Sequence, residues 1–582
     1  MLNYKLIAVI TLIFLSGCGV SPEREKIKDE SLESGRHTNG VKQSQPEQAE
    51  VETAIDPDVM YMLMAAEIAG QREQYDVALE GYLEAAKRVD DVRLAERAAK
   101  IALYIKDMDK ADEAVALWLK REPDNLTARK IALLSALKRG AKVPAVENAR
   151  YMLDKDPEGF EISMLELVKA LGQKGNIAFV YDVLDELAQQ RPDQAVIYFV
   201  QSMLAMQLNS NVLALQKVKK ALTLEPDWEE ALFFQAQITA YSGDLDEAKV
   251  LLSRLVERDS ENIKAKKLLA QVLIKSSQYE EAKDVFADIL KQTPGDAESR
   301  FSMALVYLQL EQDDKAEPLF KDLLDVPGWQ DQAGFYLGRI AVRDGRVDDG
   351  LVWFDKVTGG AFRFDAAIAA ISLLIKEHKF DEASSRLRKL RVKNDDQRLR
   401  AVLVEAELYN EQKQYSKAFE LLSDALQEMP DQKDLLYTRA LVAERIDRLD
   451  VLELDLKKIL AQHPDDVSAL NALGYTLADR TPRYLEAQKY LEKALSLEPD
   501  EAVIIDSYGW LQYRLKNLDV ALDYLQRAYS LQQENEIAAH LIEVLWGLGR
   551  KDEARKLFDQ VIKIAPNDEY LLDVQKRILN VE

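Results

Sequence analysis

Fifteen times between Asp56 and Pro566 a pattern of roughly 34 residues returns, and a period of that length limits what the chain can fold into more than any single residue does. A small residue recurs at Ala78, Ala111, Ala145, Ala178, Ala214, Ala248, Ala282, Ala316, Gly350, Ala383, Ala418, Ala487, Ala521 and Ala554, with Leu452 in the one gap. After most of these comes a turn, often with proline: Pro123, Pro157, Pro192, Pro226, Pro294, Pro430, Pro464, Pro499 and Pro566. Between the markers, apolar residues return at three- and four-residue steps, the spacing of amphipathic helices. Two such helices per period cannot bury their apolar sides alone, so each pair must stack on the next.

One unit shows the chemistry. In Asp227 to Ser260 the first helix carries Leu232, Gln235, Ala236 and Thr239, Ser242-Gly243-Asp244 breaks it, and the second helix carries Ala248, Leu252 and Leu255. An alanine at the start of the second helix lets two helices approach at the short end of the roughly 8–10 Å packing range. Pro226 ends the preceding unit, because proline lacks the amide hydrogen and clashes with the turn before it. Acidic residues precede the alanine, as in Asp246-Glu247-Ala248, where a helix N-terminus favours negative charge. This pattern resembles the tetratricopeptide repeat. The resemblance implies an all-α fold, a right-handed superhelical solenoid of about fifteen helix pairs closed by a C-terminal capping helix.

A chain of 582 residues would ordinarily divide into several globular domains, yet the register of the period never resets, so one continuous solenoid is expected over 56–566, with a cap over 567–582. Pro144 and Pro318 are expected in the first turn of a second helix and Pro482 in a turn between helices, places that tolerate proline.

The N-terminus reads as an address. Leu6 to Leu15 is an apolar run too short to span a bilayer, which needs about 20 residues, but suited to a secretory signal over 1–17. Leu15, Ser16, Gly17 and Cys18 resemble the bacterial lipobox, in which cleavage precedes a cysteine that becomes lipidated; Cys18 is also the only cysteine. Three acyl chains would make the anchoring effectively permanent. Gly19 after the cysteine implies, by the same resemblance, onward sorting to the periplasmic face of the outer membrane. Residues 18–55 read as a disordered tether: Ser21 to Ile55 is rich in Glu, Lys, Ser and Gln and has no aromatic residue. Its reach is on the order of 35 Å as a flexible chain and about 120 Å when pulled straight.

Charge narrows the partner. With 101 acidic against 77 basic residues the net charge is −24, which repels nucleic-acid phosphates and anionic lipid alike and favours basic protein segments. No catalytic constellation is found. His37, His378, His463 and His540 fall in different units, and His540 with Glu543 is an i, i+3 pair lacking the further ligands a zinc site needs. There is no phosphate-cradling glycine loop and no nucleophile elbow. The reading is therefore of a non-enzyme with no metal, cofactor or small-molecule substrate.

Gly328, Gly334, Gly338, Gly345, Gly350, Gly359 and Gly360 gather seven of the chain's 23 glycines in one stretch. Close packing explains Gly338 and Gly350; a hinge is the alternative for the rest.

In the C-terminal third, Asn471-Ala-Leu-Gly-Tyr475-Thr-Leu-Ala-Asp479, Asp506-Ser-Tyr-Gly-Trp510, and Ile537 to Leu541 followed by Glu543-Val-Leu-Trp546 resemble the closing repeats of a proteobacterial family of tetratricopeptide outer-membrane lipoproteins. That family includes an adaptor of a periplasmic carboxyl-terminal processing protease. The resemblance implies a lipid-anchored scaffold that binds such a serine protease and presents protein substrates such as cell-wall hydrolases to it. The alternative is a structural lipoprotein of an envelope export or assembly complex, for polysaccharide or pilus secretion. First helices line the concave face of such solenoids, and the positions facing away from the Leu and Ala packing set include Asn471, Tyr475, Asp506, Trp510, Tyr513, Glu543 and Trp546. Aromatic anchors beside acids suit a protein groove.

Overall fold

A computed structural model describes residues 56–172 and 174–579, so Leu15, Ser16, Gly17, Cys18 and the 18–55 tether lie outside the described residues. Among the described residues there are helices and turns but no strand, and no helix is long and apolar enough to cross a membrane. The helices form fifteen consecutive antiparallel-type pairs, from Pro57–Gln71 with Tyr75–Arg88 to Asn535–Gly547 with Lys551–Ile564. A last short helix, Glu569–Val574, capped by the Asp568 carboxylate, passes into a π-helical turn, Gln575–Leu579.

The turn inside each pair is built almost identically. Fourteen of the fifteen contain one residue in the left-handed region, glycine at Gly140, Gly172, Gly243, Gly345 and Gly549 and a residue with a side chain at nine others, Glu73 and Lys413 among them. That conformation lets the next amide return to the carbonyl five residues back, as from Gln74 to Ala69 (2.9 Å), Asp107 to Ala102 (2.9 Å) and Gln278 to Leu273 (2.8 Å), satisfying carbonyls that a helix end leaves orphaned. Side-chain caps then start the next helix: Asp244 accepts from the Glu247 amide and Asp466 from the Ala469 amide. The exception is the pair Val467–Arg480 and Tyr484–Leu497, where Thr481-Pro482-Arg483 makes the turn.

The recurring small residues sit where the helices approach. Twelve of the alanines are fully buried, as are Gly350 and Leu452. Ala178 departs from the expectation: it is exposed, because the long helix Lys174–Gln190 packs through Val180, Val183, Leu184 and Leu187 instead. Its partner Pro157–Leu171 also departs. Pro157 makes no turn but is the first residue of this helix, and Asp156 both ends the preceding helix and caps this one. Pro144 is in the first turn of Lys142–Lys155 and Pro482 between helices, whereas Pro318 lies beyond the first turn, inside the helix Asp313–Leu323. That helix is shorter than the other second helices before it, as expected where proline removes a backbone donor.

The glycine-rich stretch is accounted for by packing and turns. A Cβ on Gly338 would lie 2.5 Å from Phe354 Cε1, and one on Gly350 would lie 2.7 Å from Val342 Cγ2. Gly328, Gly345 and Gly360 have positive φ, and the Gly359 amide donates to the Asp331 carboxylate.

Packing gathers the chain into two units, one up to Leu319 and one from Phe320, with the division inside the helix Asp313–Leu323 while the sequence period runs through it. Within each unit the core is a succession of apolar clusters, each spanning a few neighbouring pairs, such as the one from Ala66 to Ile131 in the first unit and the one from Leu399 to Leu511 in the second. Charged side chains enter the apolar core at several places, among them Lys266, whose partner carboxylate is half-exposed, and Asp455. Lys266 pairs with Asp288, and Arg439 grips Asp455 through two bonds of 2.7 and 2.8 Å.

Candidate functional site

In the last three pairs of the second unit, polar and aromatic residues are spaced at i, i+4 and i+7 or i+8 along each first helix, so each helix presents one polar ridge. The ridges are Asn471, Tyr475 and Asp479 on Val467–Arg480, Asp506, Trp510 and Tyr513 on Ala502–Arg514, and Glu536, His540 and Glu543 on Asn535–Gly547. The ridges meet one another. His540 Nδ1 lies 3.0 Å from both Asp506 oxygens, and its ring is stacked on Trp510 with centroids 4.1 Å apart. Trp510 Nε1 donates to Asp479 (3.0 Å), which also receives Arg514 (3.2 Å). The Tyr475 hydroxyl donates to Glu536 (3.0 Å), two repeats further on, and approaches His540 Nε2 at 3.4 Å. Tyr513 donates to Glu543 (3.2 Å), and Arg577 of the terminal turn clamps the same carboxylate (2.9 and 3.3 Å). Arg445, on the helix Lys433–Arg445, reaches Glu569 at 3.4 Å.

These groups perturb one another. Burial alone would lower the pKa of His540, but the facing Asp506 carboxylate, with Glu536 and Asp479 beyond it, outweighs burial and raises it. Burial raises Glu536, reinforced by Asp506 and opposed by His540. Burial and then Glu536 raise the Tyr475 hydroxyl far above its ordinary range, and burial with Glu543 pushes Tyr513 up to about 12. A charged His540 lying flat against an indole also gains a cation–π attraction.

The structure thus changes the reading of the seven candidate residues. Asp506, Trp510 and Glu543 are buried, Trp510 to 5% exposure, and they face neighbouring first helices of their own chain rather than an open groove. The reason is distance: Tyr475 reaches Glu536 across two repeats, so the helices stand close enough for their ridges to close on one another. Tyr475 and Tyr513 are half-buried within the same cluster. Asn471 is half-buried too, with a buried Oδ1 that has no hydrogen-bond partner. Trp546 lies apart, flanked by Lys551 (4.8 Å) and Arg555 (5.3 Å) of the following helix. Sequence reading missed Asp479, Glu536, His540 and Arg577 as members. A signal was present: Asp506 and His540, and likewise Glu543 and Arg577, are of opposite sign and one repeat of 34 residues apart.

An open site lies in the first two pairs of the first unit. Glu67, Gly70, Gln71, Tyr75, Tyr82, Arg97, Lys100, Ile101 and Tyr104 line a cavity of about 510 Å³. Arg97 bonds Glu67 (3.1 Å) and lies 5.0 Å from the Tyr82 ring centroid; Tyr82 itself donates to Glu67. Tyr75 and Tyr104 meet edge to face at 4.9 Å, with Tyr104 still 69% exposed. Lys100 is paired with Glu96 (2.5 Å), so both cations of the wall already face carboxylates of the chain and the cavity offers aromatic surface beside balanced charge. Among the described residues no group of His, Cys, Asp and Glu could hold a metal ion.

Comparison with known proteins identifies the repeats. Tetratricopeptide-repeat models match residues 239–306, 273–328 and 512–578, and a second such model matches 467–501. The TPR repeat-containing protein PA4667 of Pseudomonas aeruginosa is 32% identical over 496 residues, covering 84% of this chain and 83% of that protein. This chain is a tetratricopeptide-repeat protein. As in that family generally, its repeats form a scaffold for protein–protein interaction, and the matches indicate no catalytic family. Solved structures similar to this tetratricopeptide protein include MamA from Desulfovibrio magneticus RS-1 (23% identity, 28% of this chain and 92% of that one, TM-score 0.27). Another is the APC/C hetero-tetramer Cut9–Hcn1 (14% identity, 89% and 96%, TM-score 0.33).

Proposed function

We propose that this tetratricopeptide protein is an adaptor anchored by lipid on Cys18 to the periplasmic face of the outer membrane, holding a carboxyl-terminal processing protease together with its protein clients. The observation that carries the reading is the open cavity at Tyr75, Tyr82, Arg97, Lys100 and Tyr104, an exposed aromatic surface rimmed by ion-paired side chains. The lipobox-like Leu15-Ser16-Gly17-Cys18 and the closing motifs described above supply the address and the class of partner. Bringing enzyme and client to one scaffold converts their encounter into a local one, at effective concentrations that reach roughly millimolar, without new chemistry.

Affinity purification of the full chain from membranes, followed by mass spectrometry, tests this. The expected result is co-purification of a processing protease with cell-wall hydrolases, reduced about tenfold by Tyr104→Ala with Lys100→Ala. Recovery of secretin or synthase components without a protease would replace the adaptor with an envelope-assembly scaffold. Loss of membrane association and of radiolabelled fatty acid in Cys18→Ser is expected for the anchor.

A further inference from the structure

The first helix, Pro57–Gln71, is apolar on two sides. Val59, Ala66 and Ala69 are buried against the array, while Met60, Tyr61, Met64 and Ile68, at i, i+1, i+4 and i+8, form a second stripe that is 53%, 75%, 57% and 47% exposed. A helix that is apolar all round belongs between two partners, and the end of a solenoid needs a polar outer face to remain soluble. The C-terminal segment is more polar outside: in Glu569–Val574 and the turn after it, Leu571 and Val574 are buried while Asp573, Lys576 and Arg577 are exposed, with Leu572 the one exposed apolar side chain among them at 43%. Among the described residues, no further layer stacks on this end.

We infer that this face pairs with the same face of a second copy of the chain. The stripe is its own complement. With two such helices antiparallel and Met64 at the centre, Met60 of one copy meets Ile68 of the other. Asp56 and Asp58, both acidic and exposed, then lie beside the exposed Arg72 of the opposite copy, so each end of the contact joins unlike charges. A two-fold arrangement closes on itself and uses each ridge once, so it stops at two copies. The C-terminal cap disfavours the competing head-to-tail stacking that would build filaments. Covering the four side chains on both copies removes roughly 900 Å² from water, near the lower limit for specific interfaces, so the dimer is reversible, with dissociation on the order of 10 µM. The pairing is independent of the adaptor reading, because it uses neither the cavity nor Cys18.

Sedimentation of the full chain in detergent between about 0.5 and 100 µM tests it. The expected result is a concentration-dependent step from one copy to two, abolished by Met64→Glu, which sets two like charges at the centre without touching the buried side. Asp58→Arg is expected to weaken the step about tenfold and Asp58→Arg with Arg72→Asp to restore it; Met64→Glu keeps the parent melting temperature, while the charge reversals at the two ends of Pro57–Gln71 lower it slightly without unfolding the array. A single copy throughout the range overturns the inference. So does a dimer indifferent to Met64→Glu, or a stripe that deletion of residues 21–50 newly exposes to methionine oxidation, since the chain's own tether would then be the cover.

Discussion

Two faces made from equivalent first helices end in opposite states. In the first two pairs, Glu67, Arg97, Lys100 and Tyr104 stand around an open cavity, whereas in the last three pairs the corresponding ridges grip one another through Tyr475, Asp506, Trp510, His540 and Glu543. The backbone plan is shared; side-chain length and pairing differ. Gly70 leaves the cavity floor bare, with only the Ala78 methyl within reach of an added Cβ, while indole, imidazole and phenol rings fill the C-terminal space. One surface stays open, and the other is closed by contacts among the chain's own side chains.

Breaking the closed face should cost far more stability than altering the open one. Asp506→Ala strands His540 in a buried site and is expected to destabilise the second unit by about 3 kcal/mol, against less than about 0.5 kcal/mol for Tyr104→Ala, both readable by denaturant melts. Similar losses for the two would erase the distinction. Titration sharpens it next. His540 has a raised pKa in the fold, so its contribution is full below its unfolded pKa and is lost as pH rises through the folded one. Raised Glu536 acts in the same direction, its contribution fading as pH climbs from the ordinary carboxylate range through its folded value. Amide exchange in Asn535–Gly547 should therefore quicken as pH rises, beyond the intrinsic rate, and much less so in His540→Gln; the first two pairs should show no such trend.

Arg577→Ala removes a half-exposed clamp and should cost only about 0.5–1 kcal/mol, while selectively loosening Gln575–Leu579 in exchange measurements. The smallest effect is a gain. Lys413 sits at φ 57° in the turn of its pair, so Lys413→Gly relieves left-handed strain and should raise stability by about 0.5–1 kcal/mol. An unchanged or lower melting point would mean that Lys413 makes compensating contacts.

How legible the molecule was depended on the range of the interaction. Alanine, glycine and proline report local backbone and close approach, so Ala248, Ala282 and Gly350 mark true helix contacts, and Gly243 a true turn. The fourth pair escaped because Pro157 and Ala178 have the right spacing but its helices are longer, and no turn separates its first helix from the preceding one, Asp156 ending the one and capping the other. The candidate ridge was found on the correct side of its helices, yet its exposure could not be read. Whether Trp510 meets a partner or His540 depends on how close helices one and two repeats apart come, and periodicity says nothing about that distance. The cavity at Tyr82 and Arg97 lacked any motif, its cation being held by Glu67 from a neighbouring unit.

The bonds from Tyr475 to Glu536 and from Arg445 to Glu569 span 61 and 124 residues, whereas the turns of each pair close over five. Local closures form early and independently; distant ones must wait until Glu536 and Glu569 have been made. A nascent polypeptide can thus assemble pair after pair as it emerges, and the arrival of residues 569–579 acts as a latch, so removing that segment should slow or loosen the last step while sparing everything made before it.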